Sequence, residues 1–497
     1  MDNTNHEKAA VKLSNASLAQ LPQAISRPTY DRTSLTAGIV HIGLGNFHRA
    51  HQAWYTHQLM QKGEGHNWAI LGAGVRQYDT HMRDRLLKQD CLTTLIELDP
   101  SGTSAEVTGS MIDYVPIVDG NAPLIQAMSD PKIRIVALTV TEGGYFLDPA
   151  TGVPDLSHAD LQKDVINPTR PTTAFGSITA AFAARRAAGL GPFTVQSCDN
   201  LQGNGYITRD LVVGLAKLQD PVLGEWIAAN ASFPNSMVDC IVPATGPDEI
   251  ALAQSLGIDD AAPVTHENYR QWVIEDDFCA GRPAWGNVGA TFTDVVENYE
   301  AVKIRILNAG HQVLANAGEL LSLETISDCM SDPDISAFFD KVQAEEMSPT
   351  VKPVPGMAVK DYVALVRGRF SNPRIRDTTR RVAFDGSSRH TGFLLPILSD
   401  SLAAGGSIEG LSLVEALWAR MCAGTRDDGS VIEANDPDWD RLHDLAKAAQ
   451  TDPSKWLEQP QIYGDLAENA QFRDAFTKWL THLWADGTRA TLQRYLA

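Results

Sequence analysis

The 497 residues carry 41 Lys and Arg against 61 Asp and Glu, a net charge of −20, and 43% of them are hydrophobic. That balance repels phosphate backbones and argues against nucleic acid as a partner, while no run of about 18 uncharged apolar residues exists to span a membrane. The length allows two or more domains with large cores, and the opening Met-Asp-Asn-Thr-Asn-His-Glu-Lys lacks the apolar stretch of a secretory signal. A cytoplasmic monomer is the expectation.

In chain order, Gly38-Ile39-Val40-His41-Ile42 reads as a strand running into Gly43 and Gly45, residues 48–62 as a helix, and Trp68-Ala69-Ile70-Leu71 as a second strand. Arg134 to Val140 is a continuous apolar run, Ala180 to Ala188 a helix, and Phe193 to Ser197 a further strand. Strands alternating with helices imply a parallel, doubly wound sheet. Beyond about residue 294 the pattern turns to long helical periods, including Leu411 to Met421 and Phe472 to Leu496, with Ser331 to Asp334 and Lys352 to Gly356 as loops. The expected fold is α/β: a Rossmann-like doubly wound domain with extensions over 1–293, and a mostly α-helical domain over 294–497.

Cys91, Cys198, Cys240, Cys279, Cys329 and Cys422 are scattered with no C-x2-C pair, which suggests neither a zinc ribbon nor a redox dithiol. A metal site assembled from distant His and Asp residues stays open at this point.

Gly43 and Gly45 follow a strand, and Asn46, Phe47, His48 and Arg49 open the next helix, the context in which backbone N–H groups hold a pyrophosphate. The third glycine of G-x-G-x-x-G is replaced by His48. At the end of the second strand, Asp79 can accept from both ribose hydroxyls and repel a 2′-phosphate, which favours NAD. Arg76, three residues upstream, could bind that phosphate instead, and Asp79 could equally cap the helix that follows.

Lys303, Asn308 and His311 are spaced K-x4-N-x2-H. On an α-helix advancing roughly 100° per residue, with Lys303 as zero, Asn308 falls near ~140°, His311 near ~80° and Glu300 near ~60°. Val302, Ile306 and Val313 occupy the opposite arc. A solvated amphipathic face is one reading, but it would repeat Glu, Lys and Gln, whereas this arc holds a base, an amide and an imidazole beside Gly310. Tyr299 and Lys303 also form Y-x-x-x-K, too short a pattern to be specific.

This spacing resembles the signature of the polyol-specific long-chain dehydrogenases, the mannitol dehydrogenase family. Similar blocks run along the chain: Gly43 to Gln52, Thr141-Glu142-Gly143-Gly144-Tyr145, Ser197-Cys198-Asp199-Asn200, Phe233 to Asp239, Pro283-Ala284-Trp285 and Asp385-Gly386-Ser387-Ser388. The resemblance implies metal-independent, NAD-dependent and reversible oxidation of a polyol to a ketose: D-mannitol to D-fructose first, D-arabinitol or D-sorbitol next, a hexuronate last. It implies Lys303 as general base with a lowered pKa, Asn200 and Asn308 as an oxyanion hole, and His311 orienting the substrate. Glu300 would relay the proton, or pair with Lys303 one turn away. Asp239, Asn200, Arg381 and Arg389 would contact the polyol, and Gly43, Gly45, Asn46, Phe47, His48, Arg49, Asp79, Glu142 and Gly143 the cofactor. Cys240 stands where relatives have Arg, and Arg389 where they commonly have Lys, which bears on the choice of polyol. A protein that only senses NAD(H) would share the glycine loop but would need no base beside the nicotinamide.

Overall fold

Five short, largely apolar runs pair side by side. In the computed structural model, which describes residues 10–148 and 151–497, β1 (Ala37–Ile42), β2 (Ala69–Ala73), β3 (Met111–Tyr114), β4 (Ile135–Leu138) and β5 (Thr194–Ser197) form one parallel sheet in the order β3-β2-β1-β4-β5. Strands covered on both faces read as near-continuous apolar sequence, as β4 does and β1 does apart from His41. Val40, Ile42, Val136 and Leu138 belong to one core with Phe175, Ile178 and Phe182 of the helix Ala174–Ala187. Ile39, Ile70, Ile135 and Ala137 belong to the other, with Tyr55 and Leu59 of the helix Gln52–Gln61 and with Trp272 and Trp285. This is the expected doubly wound sheet. Its order reverses between β1 and β4, so the loops leaving their carboxyl ends diverge and open a crevice.

The helix expected over 48–62 is two helices, Asn46–Ala50 and Gln52–Gln61, broken at His51 (φ −120°, ψ −94°). The His51 ring turns inward to pack edge-on to Tyr55 and Trp272, and its Nε2 lies 3.0 Å from the Gln271 carbonyl. Further sheet surrounds this core. Thr93–Asp99 pairs with Gly102–Thr108 and Val264–His266, while β6 (Ser236–Asp239), β7 (Gln271–Glu275) and β8 (Thr291–Thr293) form a mixed sheet.

The chain divides into two units, Met1–Glu297 and Asn298–Ala497, the division falling inside the helix Val296–Val302. Among its described residues the second unit is helical apart from isolated bridges such as Thr325 with Thr378. At its centre lies Ala309–Leu320, every residue of which is buried. Pro333–Val342, Thr379–Ala383 and Glu409–Cys422 pack around it. The segment over Ser331 to Asp334, expected as a loop, is a joint between two helices, where the Asp332 carboxylate accepts from Asp334 and Ile335 N–H and pairs with Arg489. The last helix, Ala470–Leu496, is interrupted at Gly487 (φ 79°), a turn that glycine adopts without steric cost.

Candidate active site

A cavity of about 780 Å³ opens at the carboxyl ends of the parallel strands, lined by Gly43, Gly45, Asp79, Thr139 and Thr141 among others. Gly43 has φ +94°, and a Cβ there would lie 2.0 Å from the Thr139 carbonyl oxygen, so β1 and the loop after β4 approach as closely as they do because the residue is glycine. Thr139 Oγ1 donates to the Gly43 carbonyl at 2.5 Å, and His41 Nε2 lies 2.8 Å from the same hydroxyl. Gly45 has an ordinary φ of −70°, and a Cβ there would meet nothing within 4 Å. Its backbone therefore lines open space that a dinucleotide phosphate can enter.

Asp79 sits at the N-terminal boundary of the helix Thr80–Leu87 but does not cap it. Its Oδ2 instead accepts from Val75 N–H and Arg76 N–H, both at 3.0 Å, which folds the loop after β2 around the carboxylate. Oδ1 has no hydrogen-bond partner among the described residues. A half-buried carboxylate with a spare oxygen, facing a glycine-lined crevice, fits the ribose and pyrophosphate of NAD. Arg76 is exposed and shares the lining with Tyr78, which is 80% exposed, and with His81, Arg85 and Lys163. Sequence reasoning passed over those last four. An aromatic residue immediately before Asp79 was the available signal.

Three expected cofactor residues are employed elsewhere. Arg49 is fully buried, its Nη1 donating to the Ala262 carbonyl and its Nη2 to Asn46 Oδ1 at 2.7 Å, and burial pulls its pKa down to about 10. Asn46 Nδ2 donates to the Pro243 carbonyl and Thr245 Oγ1. His48 stacks on His41 with ring centroids 3.5 Å apart, and burial pushes it well below the usual imidazole range. The guanidinium ties the glycine loop to the segment at Ala262. Phe47 stacks on His51, and Glu142 and Gly143 are exposed on the turn beside the lining residues Thr141 and Gly144.

Two of the sequence blocks prove to be one structure. Asp199 accepts from Val140 N–H, Thr141 N–H and Tyr145 Oη at 2.7–3.0 Å, binding the end of β5 to the loop after β4. Burial raises its pKa to about 6, opposed by these hydrogen bonds. Asn204 Nδ2 donates to the carbonyls of Asp199 and Ser236, and Ser236 Oγ donates to the Ser197 carbonyl, so the end of β5 is tied to the start of β6. Asn200, exposed, follows directly from the anchored end of β5, and Asp239, buried, is the last residue of β6. The sequence reading named Asn200 and Asp239 but missed the bonds of Asp199, Asn204 and Tyr145 that fix the end of β5.

In the second unit, Lys303–Asn308 is a π-helix set between the α-helices Val296–Val302 and Ala309–Leu320. Ala309 N–H donates to the Ile304 carbonyl, five residues back. This corrects the angles expected from α geometry: the wider turn brings Lys303 and Asn308 closer together around the axis than ~140°. It corrects the amphipathic reading as well, since Glu300 and His311 are buried along with Val302, Ile306 and Val313. His311 packs against Phe370, with ring centroids 4.1 Å apart and the planes tilted by 52°. Burial first, then Arg381, Arg369 and Arg389, push its pKa down to about 4 against the pull of Asp377. Its buried Nε2 has no hydrogen-bond partner among the described residues.

Arg381, exposed, gives Nε and Nη2 to Asp377 at 2.6 and 2.7 Å, and Arg389 Nη1 donates to the Val382 carbonyl. Tyr299 Oη donates to the Pro355 carbonyl, a structural use that leaves Y-x-x-x-K without its tyrosine base.

Residues 37–287 match the mannitol dehydrogenase Rossmann domain and 295–484 the mannitol dehydrogenase C-terminal domain. A mannitol 2-dehydrogenase of Cereibacter sphaeroides is 54% identical over 96% of this chain and 100% of its own length. The Pseudomonas fluorescens mannitol 2-dehydrogenase, solved as a ternary complex with NAD and D-mannitol, is 39% identical with a TM-score of 0.87 over 98% of this chain and 99% of that one. A substrate-free D-sorbitol dehydrogenase is 34% identical with a TM-score of 0.89 over 97% and 100%. Two matched domains and end-to-end similarity place this chain in the mannitol dehydrogenase family.

Proposed function

We propose that this protein is an NAD-dependent polyol dehydrogenase that oxidises D-mannitol to D-fructose, reversibly. The observation that carries the proposal is end-to-end identity of 54% with a mannitol 2-dehydrogenase. The glycine-lined cavity, with a spare Asp79 oxygen, supports the cofactor.

Bound in that cavity, NAD supplies the acceptor for hydride from the carbinol carbon. Lys303 takes the hydroxyl proton, and Glu300 passes it on. Asn200 and Asn308 donate to the oxygen as negative charge develops on it. Neutral His311 presents Nε2 to a substrate hydroxyl, where a charged imidazolium would be poorly solvated in its apolar setting. Asp239, Arg389 and the Nη1 of Arg381 that Asp377 leaves over contact the remaining hydroxyls. The cofactor is held by Gly43, Gly45 and Asp79 directly, with Glu142 and Gly143 beside the lining and Asn46, Phe47, His48 and Arg49 bracing the loop. Residues 1–293 act as the cofactor domain and 294–497 as the catalytic domain.

No helix among the described residues is long and apolar enough to cross a membrane, and a charge of −20 opposes self-association. We read the enzyme as a cytoplasmic monomer. D-Sorbitol is the second reading, favoured by the D-sorbitol dehydrogenase of the same fold. The test is a panel of polyols with NAD and NADP, following the reduced cofactor. Turnover highest on D-mannitol with NAD is expected, and no turnover on any polyol or ketose refutes the assignment.

A further inference from the structure

The π-helical turn at Lys303–Asn308 has a keeper. Gln343, fully buried, follows the helix Pro333–Val342, and its Nε2 donates to the Ile306 carbonyl at 2.7 Å, in the middle of the wide turn. The amide reaches that carbonyl through a slot left by Gly310: a Cβ there would lie 2.7 Å from Gln343 Nε2 and 3.1 Å from Phe339 Cε2. Gln343 Oε1 is buried without a hydrogen-bond partner among the described residues. A buried amide satisfied on one side packs less favourably than an apolar side chain of the same length, so the bond to Ile306 is what the amide contributes here. Where a π turn interrupts an α-helix, an inserted side chain can take a carbonyl that the regular ladder serves less well.

We infer that Gln343 is a positioning residue: by holding the Ile306 carbonyl it keeps Lys303–Asn308 in its π turn and so sets Lys303 beside Asn308. Reverting this turn to α geometry rotates Glu300 and Lys303 relative to Asn308 and His311 by roughly 100°, one residue's advance. The inference rests on the reading of Lys303 and Asn308 as catalytic.

Two variants test it. Gln343→Met preserves length and removes the donor. In Gln343→Glu, burial keeps the carboxyl protonated near neutral pH, so that its O–H replaces the amide donor until it ionises. For Gln343→Met we expect kcat on D-mannitol to fall at least tenfold, NADH affinity measured by fluorescence to stay within twofold, and hydrogen exchange of amides 304–311 to speed up. For Gln343→Glu, the ratio of its kcat to that of the parent should start near one at pH 6 and fall as pH rises to 9. Lys303→Ala is measured alongside. An active Lys303→Ala refutes the catalytic reading itself. An inactive Lys303→Ala together with folded Gln343→Met of normal kcat and normal exchange overturns the role of Gln343. If Gln343→Met does not fold, a ratio for Gln343→Glu that stays flat with pH overturns it equally.

Discussion

Asp79 does two things at once, and they can be separated. Its Oδ2 holds Val75 and Arg76 N–H, while Oδ1 and the charge face the cavity. Asp79→Asn keeps an oxygen for the two N–H groups and removes only the charge, whereas Asp79→Ala removes both. Unit charges ~4 Å apart interact by ~1 kcal/mol in water and ~4 kcal/mol at an effective dielectric constant of ~20. A half-buried carboxylate facing a 2′-phosphate lies between these limits. At 1.4 kcal/mol per tenfold, Asp79→Asn should raise kcat/KM for NADP relative to NAD by roughly fivefold to several hundredfold. Its melting temperature should stay near that of the parent, while Asp79→Ala should lose stability too, because two N–H groups of the loop lose their charged acceptor. The assay is kcat/KM for both cofactors with D-mannitol, beside thermal melts. An unchanged ratio in Asp79→Asn would remove Asp79 as the determinant and transfer that role to Arg76.

The two glycines should separate in the same assays. Gly43→Ala, with φ +94° and a Cβ 2.0 Å from a carbonyl oxygen, should lower the melting temperature, while Gly45→Ala should leave it unchanged and weaken NADH binding at least tenfold; normal NADH affinity in Gly45→Ala would place the phosphates elsewhere. Acid should destabilise the fold. Burial depresses His41, His57 and His266 to about 3, His311 to about 4, and His48 well below the usual imidazole range, so these rings stay neutral in the folded chain while the unfolded chain binds protons from about pH 6.5 downward. Asp199, Glu106 and Glu346, raised by burial, work the other way. The histidines take up protons only on unfolding, so stability should be lost as pH falls through about 6.5, with the three carboxylates offsetting part of the loss. Denaturant midpoints should fall from pH 6.5 to pH 5, and a rise would contradict the burial of these histidines.

The parallel sheet was legible because β1 and β4 are buried on both faces and leave an apolar signature interrupted only by His41. Strands such as Thr93–Asp99 and Gly102–Thr108 were not, because their polar Thr, Ser and Glu residues dilute the alternation and their partner at Val264–His266 lies far along the chain. The break at His51 was equally hidden, since it depends on aromatic partners near residue 272. The arc of Lys303, Asn308 and His311 was visible as composition. Its geometry was not, because a π turn is held by Gln343 from another helix, a contact without local signature. Arg49 shows the converse: a cation beside a glycine loop suggests phosphate, and only tertiary packing reveals that it spends its donors on the Ala262 carbonyl and on Asn46.

The central claim is that Lys303 takes the substrate proton, and Lys303→Ala tests it most directly. The glycine loop and Asp79 remain in this variant, so NADH should bind with unchanged affinity, while kcat for D-mannitol oxidation falls by at least the ~10²-fold expected when a general base is lost. A small primary amine added to the assay should restore part of the rate. A folded Lys303→Ala protein that binds NADH and turns over D-mannitol at near-normal kcat would show that the lysine is a structural cation and that the proton leaves by another group.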